Sequence, residues 1–310
     1  MNDNNPQKLP SGLAGWLLYY SRPWILLSGV GFSLLGSGVL HYLGPGVDWN
    51  IFWLGLVLVL MLLLSSAYFK AHFDQIDVTF KGKWISEVDP ETEGLIRLPR
   101  QFFLLAGLTC LAVAAVFTVL LASSHGLTAG TYVLLGIAFL LSLFYGVPAL
   151  RLAYFGWGEM SQAVLLGVLV PALTYMLQTG EMNRLLSMLT FPLAALLLAL
   201  FLAQSFEVYG KERSLKRGSL LERIGWQKGA FVHNILLLAA YLLVSLAALM
   251  GQPWQLTWPM LLSMPIAVFQ VYQMARLTSG AKPNWRLLRL TSFATAAVTL
   301  YSIIMALFTG

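Results

Sequence analysis

The chain has 310 residues, of which 58% are hydrophobic and 10% charged, against about 25% charge in a soluble domain. That excludes a soluble protein with a large core and points to an integral membrane protein. The net charge of +6 would suit nucleic acid, but basic residues beside apolar spans follow from membrane topology, and no nucleic-acid partner is expected. The one cysteine, Cys110, sits in an apolar run and excludes an intramolecular disulfide and a cysteine-based metal site.

The opening, MNDNNPQKLP, is polar. It shows no charged-then-apolar leader with a small-residue cleavage site, so the first apolar stretch is expected to remain as a span. Residues 11–24, SGLAGWLLYYSRPW, carry Trp16, Tyr19, Tyr20 and Trp24 beside Arg22, the composition of a short interfacial helix. Pro23 suits the first turn of the next helix, where its missing N–H costs nothing.

A spanning helix needs about 20 apolar residues. Nine segments qualify: roughly 22–42, 51–73, 101–122, 128–148, 159–178, 185–208, 229–250, 257–276 and 288–308. The connectors after the second, fourth, sixth and eighth hold the charge. They cover about 78–100, 149–158, 209–228 and 277–287. With a cytoplasmic N-terminus, every Lys and Arg except Arg184 falls on the cytoplasmic side. The expectation is one all-α membrane domain, residues 1–310, behind a short polar and interfacial segment, 1–21. It lies in the inner or plasma membrane, with the C-terminus opposite the N-terminus. Segment 78–100 carries both signs of charge and reads equally as a lid or as a solvated loop.

Two polar clusters end apolar runs: FKAHFDQID, 69–77, and FEVYGKERSLKRGS, 206–219. Ionisable groups at such places carry a functional hypothesis. Asp74 and Asp77 are three residues apart, and Lys70 and Asp74 four, so they share a face if the second helix continues that far. Glu207 and Lys211, and Glu212 and Lys216, repeat the four-residue spacing. Taken singly, such pairs read as helix-end ion pairs of small worth. Taken together, on one side of the membrane, they read as two walls of one cavity. Lys70, Lys211, Arg213, Lys216 and Arg217 suit a diphosphate. The carboxylates of Asp74, Asp77, Glu207 and Glu212 would join it through a divalent cation such as Mg²⁺. A further acid, Glu159, stands in FYGVPALRLAYFGWGEMSQAVLLGVLVPALTYMLQTGE, 144–181, where Gly and Pro permit kinks and close packing. Tyr145 and Glu159 either line a pocket or are an interfacial aromatic and an N-terminal helix acid.

Segment 144–181, with FYGVP, the GWGE step and the tail G…P…TYMLQTG, resembles the middle of the UbiA-type intramembrane aromatic prenyltransferases. The likeness is to those making 1,4-dihydroxy-2-naphthoate polyprenyl products in menaquinone synthesis. Arg22-Pro23 resembles the family's Arg-Pro before its first span, and KERSLKRGSLLERIG, 211–225, the stretch at its second Asp-rich motif. The resemblance implies a nine-helix bundle around a central cavity open near the cytoplasmic side. It implies Mg²⁺-assisted ionisation of an allylic polyprenyl diphosphate and attack by an aromatic acceptor within membrane lipid. Asp74, Asp77 and Glu212 would be the metal ligands and, with Glu207, the catalytic acids. Arg22, Lys70, Tyr145, Glu159, Lys211, Arg213, Lys216 and Arg217 would bind substrate. The motif positions themselves depart from the family. The first motif, Asn-Asp-Asp at four-residue steps, falls on Ser66, Lys70 and Asp74. The second, two Asp four apart, falls on Val208 and Glu212, with Glu207 displaced by one. Three readings follow: a prenyltransferase with a remodelled head-group site, a divergent relative without Mg²⁺-dependent transfer, and a transporter of a small amphipathic anion.

Overall fold

The structure is a computed structural model, and it describes residues 13–80, 100–147, 150, 152–153, 156–215 and 219–310. Every regular element in these residues is helical. In order they are α1 (Leu13–Ser21), α2 (Pro23–Leu43), α3 (Trp49–Phe80), α4 (Arg100–His125), α5 (Ala129–Phe144), α6 (Gly158–Val164), α7 (Val170–Thr179), α8 (Arg184–Leu215), α9 (Leu220–Ile224), α10 (Trp226–Leu249), α11 (Trp254–Leu261), α12 (Met264–Thr278) and α13 (Trp285–Thr309). A π-helical stretch, Leu165–Leu169, joins α6 to α7. Seven helical segments of the described residues are long and apolar enough to cross a membrane. The protein is a multi-pass membrane protein.

Seven of the nine predicted segments coincide with these long helices, and two differ from a simple span. α5 has 16 residues, about 24 Å of helix against a hydrocarbon core of about 30 Å. The eighth segment is broken between α11 and α12. Pro259 lies inside α11 and Pro265 opens α12, and each removes a backbone donor from the ladder. Beside the break, Ser302 Oγ of α13 donates to the Pro259 carbonyl at 2.9 Å. Two other helices outrun their predicted ends. α3 continues to Phe80 and α8 to Leu215, so Asp74, Asp77 and Lys211–Arg213 stand on helical backbone.

α2 lies at the centre of the packing, against α3, α7 and α13. Gly36 makes this possible, since a Cβ there would sit 2.5 Å from the Pro171 carbonyl oxygen. Pro171 also accounts for the π stretch. It cannot donate to the preceding turn, and the helix widens, with Val170 N–H reaching back five residues to Leu165 O. The main core runs through this half: Phe32, Leu35, Leu58, Leu166, Leu173 and Leu189 are essentially inaccessible. α10, α12 and α13 form the other half, joined to it by α8 and α13.

Candidate functional site

One end of the bundle gathers the C-terminal parts of α3, α5 and α8 and the N-terminal parts of α6 and α13. The closest approach is between α3 and the end of α5. A Cβ on Gly146 would lie 2.5 Å from Lys70 N and 2.7 Å from Phe69 C, so only glycine lets the chain pass Lys70 this closely. The neighbouring Tyr145 is buried at 6% exposure. It lines a narrow cleft with Ser66 and Leu63 of α3, Ile25 of α2, and Ser161 and Gln162 of α6. The cleft has about 10 Å³ of free space, about the minimum for one water. Positions 66, 145 and 162, far apart in the chain, therefore meet at this cleft, and the Lys70 backbone passes the adjoining Gly146.

Glu159 stands in the first turn of α6, three residues before Gln162. Its Oε1 accepts from Ser205 Oγ of α8 at 3.0 Å. That hydroxyl also reaches the Phe201 carbonyl at 3.1 Å, and its single hydrogen cannot serve both fully. Glu159 Oε2 is buried with no partner. Ser205 and Val208 are three residues apart on α8 and share a face. A carboxylate from α6 thus lies beside the α8 face that carries position 208.

Glu207 makes an ion pair with Arg289 of α13 at 3.4 Å. It sits at an aromatic junction of three helices, where Trp226 packs on Phe206, Tyr209 and Trp285 with ring centroids 4.9, 5.5 and 6.1 Å apart. Arg22 is the elbow between α1 and α2. Its φ of 50° is the only positive value on a non-glycine among the described residues, and its carbonyl accepts Ile25 N–H at 2.8 Å. Arg22 and Lys70 are both half-buried. The side chains of Asp74, Asp77, Lys211, Glu212 and Arg213, and all of Lys216 and Arg217, lie outside the described residues, as does segment 81–99.

For a divalent cation, no three His, Cys, Asp or Glu side chains come together among the described residues. The orphaned Glu159 Oε2 nevertheless fits one: a carboxylate oxygen with free lone pairs is what Mg²⁺ takes, and left alone it bears a desolvation cost. Lys70, half-buried and packed by its backbone on Gly146, brings a cation to this end of the bundle, and cations clamp phosphate oxygens directly.

The reading from sequence missed a second polar system. On α13, Thr291, Thr295 and Thr299 recur every four residues and face α10 and α12. Gln270 Nε2 donates to Thr295 Oγ1 and to the Thr291 carbonyl. Tyr241 hydroxyl bonds Ser263 Oγ at 2.9 Å, and Ser263 in turn bonds Thr299. His233 is fully buried nearby, its Nδ1 3.2 Å from Asn234 Oδ1 and its Nε2 without a partner. The four-residue Thr spacing was the available signal.

No protein-family model matches the chain, and no curated protein does. Solved structures do match. One, from work on the biosynthesis of digeranylgeranylglyceryl phosphate synthase in membranes, superposes with a TM-score of 0.65 at 14% identity, covering 95% of this chain and 98% of that one. The fold is that of the UbiA homologues. The homologue from Archaeoglobus fulgidus bound to Cd²⁺ gives 0.58 over 93% and 98%, and the same homologue bound to GPP and Mg²⁺ gives 0.55 over 93% and 99%, each at 14% identity.

Proposed function

We propose that the chain is a UbiA-type intramembrane prenyltransferase with a remodelled head-group site. It spans the membrane nine times with its N-terminus cytoplasmic, and it transfers a polyprenyl group from an allylic diphosphate to an aromatic quinone precursor, as in menaquinone synthesis. The observation that carries this reading is the convergence of Ser66, Tyr145 and the α6 start around one cleft, with the Lys70 backbone packed on the adjoining Gly146, within a fold shared over nearly the whole chain with a homologue solved with GPP and Mg²⁺. Arg22, Lys70, Lys211, Arg213, Lys216 and Arg217 would hold the diphosphate, and the prenyl chain would run down the apolar bundle. The allylic C–O bond breaks with its electron pair leaving on the diphosphate, whose developing charge these cations stabilise. Tyr145 offers an electron-rich ring face to the allylic cation. The acceptor's ring carbon then forms the new C–C bond, and its proton passes to the released diphosphate. Asp74, Asp77 and Glu212 would hold Mg²⁺, with Glu159 Oε2 turned to the same charge, and the ion would neutralise the leaving diphosphate. Glu207, engaged by Arg289, stands as the fourth acid proposed for this site.

A second reading rests on positions 70 and 208. Lys and Val there replace two of the family's acids, and Lys70 would take over part of the metal's work or end it. The test offers a radiolabelled prenyl diphosphate and a panel of aromatic acceptors to the full chain in nanodiscs, with and without Mg²⁺. Product only with Mg²⁺ supports the first reading, and product without Mg²⁺ gives the work to Lys70. No product on any acceptor from folded protein overturns transfer. Accumulation in sealed vesicles without covalent product would favour the transporter.

A further inference from the structure

At the turn between α12 and α13 lies a pocket of about 100 Å³ that the proposed reaction does not use. Phe269, Tyr272, Arg276, Lys282, Asn284 and Trp285 line it. The turn is built rather than loose. Ala281 N–H returns to the Arg276 carbonyl at 3.1 Å and Gly280 N–H to Leu277 at 3.3 Å, the paired bonds of a Schellman stop with glycine in the left-handed region, φ 84°. Pro283 follows, and Asn284 caps α13 by accepting Leu287 N–H at 3.1 Å.

Three features define an occupant. The first is charge: Arg276 and Lys282 are both exposed, and neither has an ion-pair partner among the described residues. No Asp or Glu follows Glu222 in the sequence, so the last third of the chain brings cations to this turn and no carboxylate. The second is an apolar wall. Phe269 and Tyr272 are 41% and 56% exposed, with nearly parallel rings 6.2 Å apart. The third is their order along one helix. Phe269, Tyr272 and Arg276 share a face of α12, with the Arg276 backbone about 10 Å further along the axis than that of Phe269 and in the last turn of the helix. Apolar wall below and paired cations above is the layout of a phospholipid, acyl chain in the membrane and phosphate at its edge.

We propose that this pocket is a binding site for an anionic phospholipid of the leaflet that borders the α12–α13 turn. The phosphate sits between Arg276 and Lys282, and the first part of an acyl chain lies on Phe269 and Tyr272. The apolar wall distinguishes this site from one for free phosphate, which has no use for it. The site is independent of whether the chain transfers prenyl groups. Two surface-level cations facing one headgroup correspond to about a thirtyfold preference for anionic over zwitterionic lipid.

The test is native mass spectrometry of the full chain released from nanodiscs of mixed phosphatidylglycerol and phosphatidylcholine. The wild type is expected to retain one phosphatidylglycerol. R276Q combined with K282Q is expected to reduce that retention about thirtyfold and leave phosphatidylcholine unchanged. Lys228→Gln removes an exposed charge elsewhere on the same end and is expected to change nothing. Both changed residues are exposed, and a melting curve for each variant confirms folding. Phe269→Ala, with both cations kept, is expected to weaken retention as well. Equal retention by the double variant overturns the site. An equal fall on Lys228→Gln reduces it to general surface charge. Displacement of phosphatidylglycerol from this pocket by a non-ionisable prenyl diphosphate analogue, or by inorganic phosphate at equal concentration, overturns the choice of ligand.

Discussion

The two halves of the bundle use polar groups in opposite ways. In α10–α13 neutral groups bond one another across helix pairs, Gln270 with Thr295, and Tyr241 with Ser263 and Thr299, with His233 Nε2 and Gln252 Oε1 left over. In α3–α8 they are charged, gathered at one end and left incomplete. Glu159 keeps an unpartnered oxygen, and the Lys70 backbone is packed against Gly146 by a contact only glycine permits. A closed ladder fixes helices to one another, whereas an open one is completed by something else. The comparison assigns stability to the first half and ligand chemistry to the second, and substitutions should separate the two.

The largest effect should come from the α3–α5 contact. Gly146→Val places side-chain atoms on the Lys70 backbone and displaces it. Displacement of about 1 Å in a site costs about 100-fold in rate, so transfer should fall by at least that factor in a radiolabel assay. Gly44→Ala is a useful reference, since its Cβ would meet nothing within 4 Å, although its φ of 99° carries a modest local strain of its own. Next is Lys70→Met. A hydrogen bond to a charged group is worth about 1.5–3 kcal/mol, so diphosphate affinity should drop about 10- to 100-fold with the melting temperature unchanged.

Ser263→Ala reverses that signature. It removes the link between Tyr241 and Thr299, at about 0.6 kcal/mol per interhelical bond. The melting temperature should fall by a few degrees while the Michaelis constant for prenyl diphosphate stays the same. Smallest is Glu207→Gln. Its pair with Arg289 has partner exposures of 33% and 54%, and exposed pairs contribute about 0.2–1 kcal/mol. The stability loss should be slight and vanish in high salt. Loss of transfer beyond that slight loss of stability would mark Glu207 as the fourth acid of the proposed site.

The spans were legible because apolar length is a strong signal, and the polar clusters because charge is rare here. The helix ends were less so. Hydropathy stops at the first charges, near Lys70 and Glu207, while the backbone ladder of α3 and α8 continues through them to Phe80 and Leu215. The break at Ser263 was hidden by averaging, although Pro259 and Pro265 mark its two sides. The α13 ladder went unread because Thr and Ser are nearly neutral on a hydropathy scale. Their meaning depends on Gln270 and Tyr241, which only the packing brings near. Glu159 could be named from sequence, but its place beside the α8 face of Val208 depends on the kinked α6–α7 segment reaching α8. The left-handed backbone of Arg22 had no sequence signal beyond the following proline.

The central claim is that the end of the bundle around Lys70 is the head-group site. Its most direct test is equilibrium binding of a labelled, non-ionisable prenyl diphosphate analogue to the full chain in nanodiscs, with inorganic diphosphate as competitor. The wild type should bind, diphosphate should compete, and Lys70→Met should weaken binding at least tenfold with Ser263→Ala unchanged. Equal affinity in the wild type and Lys70→Met would contradict the account.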